Sequence, residues 1–177
     1  MAGSFSIGED RLLHLLGGTD NVLLNFGSVT SDIDPEVNYA YQARMTPLRG
    51  FSNNARNGSN AFVMNAELRV PIWSTLFQIP ASNDFLRNLQ LVTFADVGSA
   101  WNGLHPYSDE NGFNTTVIEQ NPITVTVDNN HEPIVYDWGI GIRSRVLGYW
   151  VCADLAWGVD NKTIQPARFS LSLNFDF

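Results

Sequence analysis

The chain has 177 residues, a length suited to one domain, and carries a net charge of −8 with Lys162 as its single lysine. Such an acidic chain offers no basic surface for phosphates, which argues against a nucleic-acid-binding protein. The single cysteine, Cys152, excludes a disulfide within the chain, and no apolar run reaches the roughly 18 residues of a membrane-spanning helix.

The first sixty residues show little regular pattern. The amino terminus lacks the basic start and apolar core of a secretory signal, so we expect the sequence to be the C-terminal part of a longer precursor. Residues 4–8 are a candidate first strand. Residues 9–16, acidic at the start and followed by Gly17 and Gly18, are expected to form one or two helical turns. We predict that residues 9–60 form one long loop.

Five later segments alternate between apolar and polar residues, as expected of strands with one apolar and one polar face: residues 61–72, 89–101, 132–147, 149–160 and 168–177. Each has about 10 to 15 residues, more than the roughly 5 or 6 of globular strands and enough for a tilted membrane crossing. The polar faces carry Glu67, Asp96, Arg143, Asp154 and Asn174, which should point inward. The apolar faces carry Leu68, Leu91, Ile140, Leu155 and Leu173, and end in the aromatic residues Trp101, Tyr136, Tyr149 and Trp157.

The last strand gives the clearest single signal. One of its faces consists of Phe169, Leu171, Leu173, Phe175 and Phe177. A chain that ends on an aromatic residue is typical of an outer-membrane barrel, whose last strand closes the wall. The tight link at Gly148 and the long connections at residues 102–131 and 161–167 agree with the short and long loops on the two sides of a barrel. A half-buried strand of a soluble sandwich alternates in the same way and is the alternative.

Three motifs occur in a fixed order before that strand: Leu48-Arg49-Gly50-Phe51 in the long loop, Phe94-Ala-Asp96-Val-Gly98 in a strand, and Trp138-Gly-Ile-Gly-Ile-Arg143 in the next strand. With the aromatic C-terminus, they resemble the BamA-type outer-membrane superfamily, also called bacterial surface antigen proteins. There they correspond to the Arg-Gly tip of the sixth extracellular loop, the Phe-x-Asp-x-Gly strand motif and a Gly-rich strand. Leu48 stands where Val or Ile is usual.

The resemblance implies an all-β fold, the C-terminal portion of a transmembrane β-barrel. About five or six antiparallel strands and a long inward-folded loop would form one domain over residues 1–177. Earlier strands and any amino-terminal domain would belong to the longer protein. Because so few strands leave unpaired edges in lipid, the isolated chain should be oligomeric, aggregated or paired with another chain.

The resemblance also implies a loop-to-wall contact made by Arg49, Gly50, Phe51, Asp96 and Gly98. The residue chemistry agrees, because Asp96 lies on the polar face, Gly50 permits a tight tip and a guanidinium can hold a carboxylate through two hydrogen bonds. The alternative is a solvated Arg49, with Asp96 paired to Arg143 or Arg145.

The sequence contains no catalytic, metal or cofactor motif. His14, His105 and His131 share no ligand spacing with Cys152 or the carboxylates, and no Gly-x-Ser-x-Gly elbow is present, so we expect neither an enzyme nor a cofactor. By resemblance, the parent protein inserts or translocates polypeptides at the bacterial outer membrane. Its partners would be the lipid bilayer, client polypeptides, and the missing strands or another chain at the sheet edge. The alternatives are a passive porin-like or structural barrel and, less favoured, a soluble β-sandwich binding module.

Overall fold

The computed structural model describes residues 1–5, 11–25, 33, 39–76, 83–108, 111, 115–120, 123–128 and 131–174. Within these ranges the chain is mostly antiparallel β with almost no helix, and its largest sheet is curled like half of a barrel. The strands are β1 Ala2–Phe5, β2 Arg11–Leu16, β3 Val22–Asn25, β4 Tyr39–Met45, β5 Arg56–Gly58, β6 Asn60–Pro71, β7 Gln90–Trp101, β8 Thr115–Gln120, β9 Ile123–Asp128, β10 Ile134–Val146, β11 Tyr149–Asp160, β12 Thr163–Ile164 and β13 Arg168–Asn174. Two short helices, α1 Ile72–Leu76 and α2 Asp84–Arg87, lie between β6 and β7.

The curled sheet has the strand order β1-β6-β7-β10-β11-β13-β3, with antiparallel neighbours throughout and β12 added beside β11. The long strands β6, β7, β10 and β11 follow the predicted segments to within about two residues at each end. The predicted last strand is present as β13, while Phe175 and Phe177 lie outside the described residues. The candidate first strand corresponds to β1, and residues 6–8 are likewise outside.

The helical turn expected at residues 9–16 is wrong for the part that is described, because Arg11–Leu16 is the strand β2. It pairs in parallel with β4 along its length, and antiparallel with β5 over His14, Leu15 and Leu16. Two turns of helix are only marginally stable by themselves, whereas the strand buries Leu13 and Leu16 almost completely. Residues 9–60 are therefore not a featureless loop: β2, β4 and β5 form a separate three-stranded sheet, and β3 pairs with β13.

The three-stranded sheet packs on one side of the curled sheet, through contacts of β2 with β6 and β7, of β4 with β6 and of β5 with β7. We call β2, β4, β5 and the turn at residues 46–55 the inner segment, and the face of the curled sheet that it covers the inner face. The opposite side is the outer face. Because side chains alternate along a strand, adjacent residues of β6, β7, β10 and β11 point to opposite faces.

The two faces have the polarity expected from the sequence pattern. Asp96 and Asp154 are buried on the inner face, with Glu67, Arg143 and Asn174 mostly covered. Leu68, Leu91 and Ile140 are exposed on the outer face, and Leu155 and Leu173 are partly exposed. Tyr136 and Tyr149 are also exposed, and Trp157, partly covered, stacks on the exposed Trp138 with ring centroids 4.8 Å apart.

Trp101 is the exception, since the structure buries it, with its ring 6.2 Å from that of Phe62 in an edge-on contact. The backbone of Trp101 also packs against Gly58 of β5. The assignment of Trp101 to an exposed aromatic band is therefore wrong. Trp101 lies at the end of β7, where other parts of the chain cover it, although the alternation along β7 would expose its side chain.

Candidate functional site

The register of the curled sheet places four residues side by side on the inner face. Asn65 of β6 pairs with Asp96 of β7, Asp96 with Asp137 of β10, and Asp137 with Gly158 of β11. We call these four residues the central row. The tip of the inner segment, Arg49-Gly50-Phe51, packs directly on this row, so the site is a contact between a turn and the wall of the sheet.

Gly50 makes the closest approach to the central row. Its backbone N–H donates to the Asp137 carboxylate at 2.8 Å. A Cβ on Gly50 would lie 2.5 Å from the Asp137 Cβ and 2.7 Å from the Gly158 nitrogen, so a side chain cannot be accommodated without moving one strand. Gly158 is required for the same reason, because a Cβ there would meet the Gly50 carbonyl oxygen at 2.9 Å and the Phe51 ring at 2.8 Å. Two glycines facing each other thus set the depth at which the tip lies.

Arg49 is buried and its charge is balanced by two carboxylates. Its Nε lies 3.6 Å from Asp96 Oδ2, and its Nη2 donates to Glu67 Oε1. The guanidinium carbon lies 4.1 Å from the centre of the Phe94 ring, close enough for a cation–π contact. The structure therefore brings Arg49 and Asp96 together, but Glu67 is the closer partner of the guanidinium.

Glu67 connects the tip to two other arginines. Arg143 donates to both of its oxygens, at 2.8 and 3.1 Å, and Arg69 donates to Oε2 at 2.7 and 2.9 Å. Arg143 is thus engaged with Glu67 and does not pair with Asp96, and Arg145 is exposed. The alternative in which Arg49 is solvated and Asp96 pairs with Arg143 or Arg145 does not describe this structure.

Apolar packing supports the polar contacts at one end of the inner face. Phe51 belongs to a buried cluster shared between the inner segment and the sheet, formed by Leu16, Leu48, Phe51, Ala55, Ala61, Val63, Ala100 and Val135. Gly98 leaves room for Leu16, whose methyl carbons would lie 3.1 Å from a Cβ at that position. The role of Gly98 is therefore to admit the inner segment, with no direct contact to Arg49 among the described interactions.

Two further contacts hold the inner segment. Asn65, which donates to Asp96 at 3.0 Å, also donates to the Pro47 carbonyl at 2.8 Å. At the base of the segment, Arg56 pairs with Asp160 at 2.5 Å and donates to the Glu132 carbonyl at 3.1 Å. The tip is therefore held from β6, β7, β10 and β11 together.

A polar cavity of about 190 Å³ lies beside the tip, between the inner segment and the wall. It is lined by Thr19, Asp20, Pro47, Arg49, Glu67, Arg143, Cys152, Asp154, Ser172 and Asn174. Cys152 is buried in its wall, and its sulfur accepts a hydrogen bond of 3.5 Å from Asn174. Gly141 leaves the space taken by the Asp154 carboxylate. The lining carries charges of both signs.

The three histidines lie in separate places: His14 in β2, His105 and His131 in exposed connections. Burial lowers the pKa of His14, which belongs to the inner segment. Among the described residues, no three His, Cys, Asp or Glu side chains converge as metal ligands would. Within the same ranges, no helix is long and apolar enough to cross a membrane.

The sequence motifs point to Arg49, Gly50, Phe51, Asp96 and Gly98 as the loop-to-wall contact, and they do not include Glu67 or Asp137. Their signal was present, because both are acidic residues on the polar parity of long strands. Which acidic residues face the tip depends on strand register, and register was not deduced from the pattern alone. The assignment of Gly158 and Arg56 likewise required the pairing of β11 and the path of the inner segment.

Comparisons of the chain with protein-family models, with curated proteins and with solved structures found no match. The resemblance to the BamA-type superfamily therefore rests on the motifs in the sequence and on their order. In the structure, Arg49 contacts Asp96 and Phe94 directly, and Glu67 links it to Arg143.

Proposed function

We propose that this chain forms part of the wall of a transmembrane β-barrel, and that the protein containing it inserts or translocates polypeptides at the bacterial outer membrane. The observation that carries the proposal is the inverted polarity of the curled sheet. Most charged side chains of its inner face are covered: Glu67, Asp96, Asp137, Arg143 and Asp154. Its large apolar side chains are exposed across three neighbouring strands: Met64, Leu68 and Val70 of β6, Leu91 of β7, and Tyr136, Trp138, Ile140 and Ile142 of β10. A continuous apolar surface of this kind is rare on soluble monomers and suits contact with lipid.

Strand length supports the same proposal. The strands β6, β7, β10 and β11 have 12, 12, 13 and 12 residues. At about 3.3 Å per residue each is about 40 Å long, and a tilt of about 45° reduces its height to about 28 Å. That height is close to the roughly 30 Å hydrocarbon thickness of a bilayer. Ordinary globular strands, with about 5 or 6 residues, would be too short.

The insertion or translocation activity is supported by two features. The first is the resemblance of the motifs that meet at Arg49. The second is the edge of β13, where β3 pairs over only Ser170, Leu171 and Ser172, with a break in register between the last two. Among the described residues this pairing is short and irregular, with one further hydrogen bond from the Leu173 N–H to the Asn21 carbonyl. A weakly paired edge can exchange its partner for a strand from another polypeptide through main-chain hydrogen bonds. This chemistry needs no cofactor or nucleotide.

The test is reconstitution of the protein containing this chain into liposomes of phosphatidylethanolamine and phosphatidylglycerol. An unfolded outer-membrane barrel protein is added, and its folding is followed by protease protection. We expect faster folding than in empty liposomes, and slower folding when Arg49→Ala loosens the tip. Solute leakage without faster folding would indicate a passive barrel, and a failure to associate with liposomes would indicate a soluble binding module. Either result contradicts the proposal.

A further inference from the structure

Two acidic side chains face each other in the central row. Asp96 and Asp137 are register partners on adjacent antiparallel strands, and both are only 2% exposed. Like charges placed directly opposite on one face of a sheet repel each other, and burial removes the water that would screen them. A pair of ionised carboxylates in this position is therefore unfavourable unless something neutralises one of them.

Each carboxyl group of the pair has one oxygen that accepts a hydrogen bond and one that does not. Asp96 Oδ1 accepts from Asn65, and Asp137 Oδ2 accepts from the Gly50 N–H. The other two oxygens, Asp96 Oδ2 and Asp137 Oδ1, are buried and accept no hydrogen bond from the residues that the structure describes, although Asp96 Oδ2 lies at ion-pair distance, 3.6 Å, from Arg49 Nε. Directly opposed residues of antiparallel strands have Cβ atoms about 4.5 to 5.5 Å apart, so the two carboxyl groups can reach each other. One proton between them would turn two unsatisfied acceptors into a donor and an acceptor.

The net charge around the pair is negative, which favours binding of that proton. Arg49 of the tip faces the pair, and Asp154 of β11 lies close enough to interact with Asp96. Glu67 of β6 and Arg143 of β10 complete the charged group around Arg49. With the pair itself, four carboxyl groups thus face two covered guanidinium groups. Arg69, the third arginine on Glu67, is 57% exposed and contributes little inside. If all four carboxyl groups are ionised, two negative charges remain unbalanced, and one bound proton reduces them to one.

We propose that Asp96 and Asp137 form a proton-binding site that shares one proton, and that this proton keeps the tip of the inner segment docked. When the tip leaves, both carboxyl groups become hydrated and bind the proton more weakly. By linkage, the docked state is favoured while the proton is present, and docking weakens as the pH rises and the proton is lost. The proton is shared through the Asp137 oxygen that does not accept from Gly50, so it does not compete with the Gly50 hydrogen bond.

Asp137→Asn tests this directly, because an asparagine imitates the protonated acid. Its amide oxygen can accept from the Gly50 N–H, while its NH₂ group donates permanently to Asp96 Oδ2. The experiment measures the rate at which a non-specific protease cleaves the inner segment of the full chain, from mildly acidic to alkaline pH. The ratio of wild-type to Asp137→Asn rates cancels the pH dependence of the protease itself. We expect this ratio to rise with pH, by at most about tenfold per pH unit, as release of one proton requires.

Infrared spectroscopy provides a second, direct readout. The wild-type chain at neutral pH should show the band of a protonated carboxyl group, and that band should be lost in Asp137→Asn. A cleavage ratio that does not change with pH, or a wild-type spectrum without the band, would overturn the proposal. The spectrum of the wild type decides the matter even if the variant fails to fold. Neither readout depends on lipid insertion or on polypeptide transport, so the result is separate from the test of the proposed function.

Discussion

The two faces of the long strands are built on opposite principles. Glu67 and Leu68 are neighbours in β6, yet the Glu67 side chain is 16% exposed while Leu68 is 65% exposed. On the inner face, ion pairs and backbone hydrogen bonds join the sheet to the inner segment. On the outer face, the large apolar side chains have little protein to pack against. In the membrane setting that we propose, lipid would cover these apolar side chains.

The difference between the faces also predicts a difference in tolerance to substitution. In the proposed contact with lipid, the outer face requires only that its residues be apolar, because the hydrophobic effect is not directional. The inner face requires particular residues at particular registers, since a carboxylate without its guanidinium would be left buried and unpaired. Substitutions on the two faces should therefore differ in size, in readout and in tolerance.

Arg49→Ala should have the largest effect on the free energy of docking of the tip. The variant leaves Asp96 without its cation, while Glu67 still has Arg143, and breaking a buried pair of this kind costs about 3 to 5 kcal/mol. The hydrogen exchange rate of the Gly50 amide, which is bound to Asp137, would report the loss of docking. Asp96→Ala should have a similar effect, and the double variant should be little worse than either single one. Unchanged exchange in both single variants would mean that other contacts hold the tip.

Ile140→Arg tests the outer face. Ile140 is exposed on the outer face, so in lipid an arginine there should cost about 2 to 4 kcal/mol if the position is near the bilayer midplane. The measurement is the denaturant dependence of folding into lipid vesicles, with Ile140→Val as the matched control. Exchange at Gly50, measured after folding, should not change. An arginine that folds into vesicles as well as the wild type would show that this face does not contact lipid.

Gly50→Ala should cost about 1 to 3 kcal/mol, the usual range for overpacking, because the new methyl group would overlap the backbone at Gly158 and the Cβ of Asp137. The strands cannot separate without losing their hydrogen bonds, so the tip is expected to lift. Gly3→Ala in β1 is a suitable control, since its Cβ would have only one neighbour, at 3.9 Å. Protease protection of the inner segment would compare the two variants. Equal protection in both would contradict a close contact of Gly50 with the wall.

Arg69→Ala should have the smallest effect on the free energy of docking of the tip, about 0 to 1 kcal/mol. Arg69 binds the same carboxylate as Arg49, but its side chain is largely exposed, so water replaces it at little cost. The comparison of Arg49→Ala with Arg69→Ala therefore varies burial while the acidic partner stays the same. Measured by Gly50 exchange, a loss for Arg69→Ala as large as that for Arg49→Ala would mean that burial does not set the strength of the contact.

Much of the wall was predictable from the sequence. Alternation over a dozen residues constrains a strand strongly, since a shift of one residue would exchange its two faces. That is why β6, β7, β10 and β11 lie where the pattern placed them. The pattern at residues 11–16 was misleading, because Leu12, Leu13, Leu15 and Leu16 fit a short helix as well as a strand. Pairing with β4 and β5, which are distant in sequence, decided between them.

In the candidate site, too, some features were predictable from the sequence and others depend on the tertiary structure. The sequence by itself determined that Arg49, Gly50 and Asp96 have the chemistry for a turn-to-wall contact, since charge, side-chain size and strand parity are local properties. The tertiary structure decided that Glu67 is the closer partner of Arg49, that Asp137 accepts from Gly50 and that Trp101 is buried. These facts depend on which strands are neighbours and on which residues share a row. Register and docking are set by the packing of distant segments, which no local pattern records.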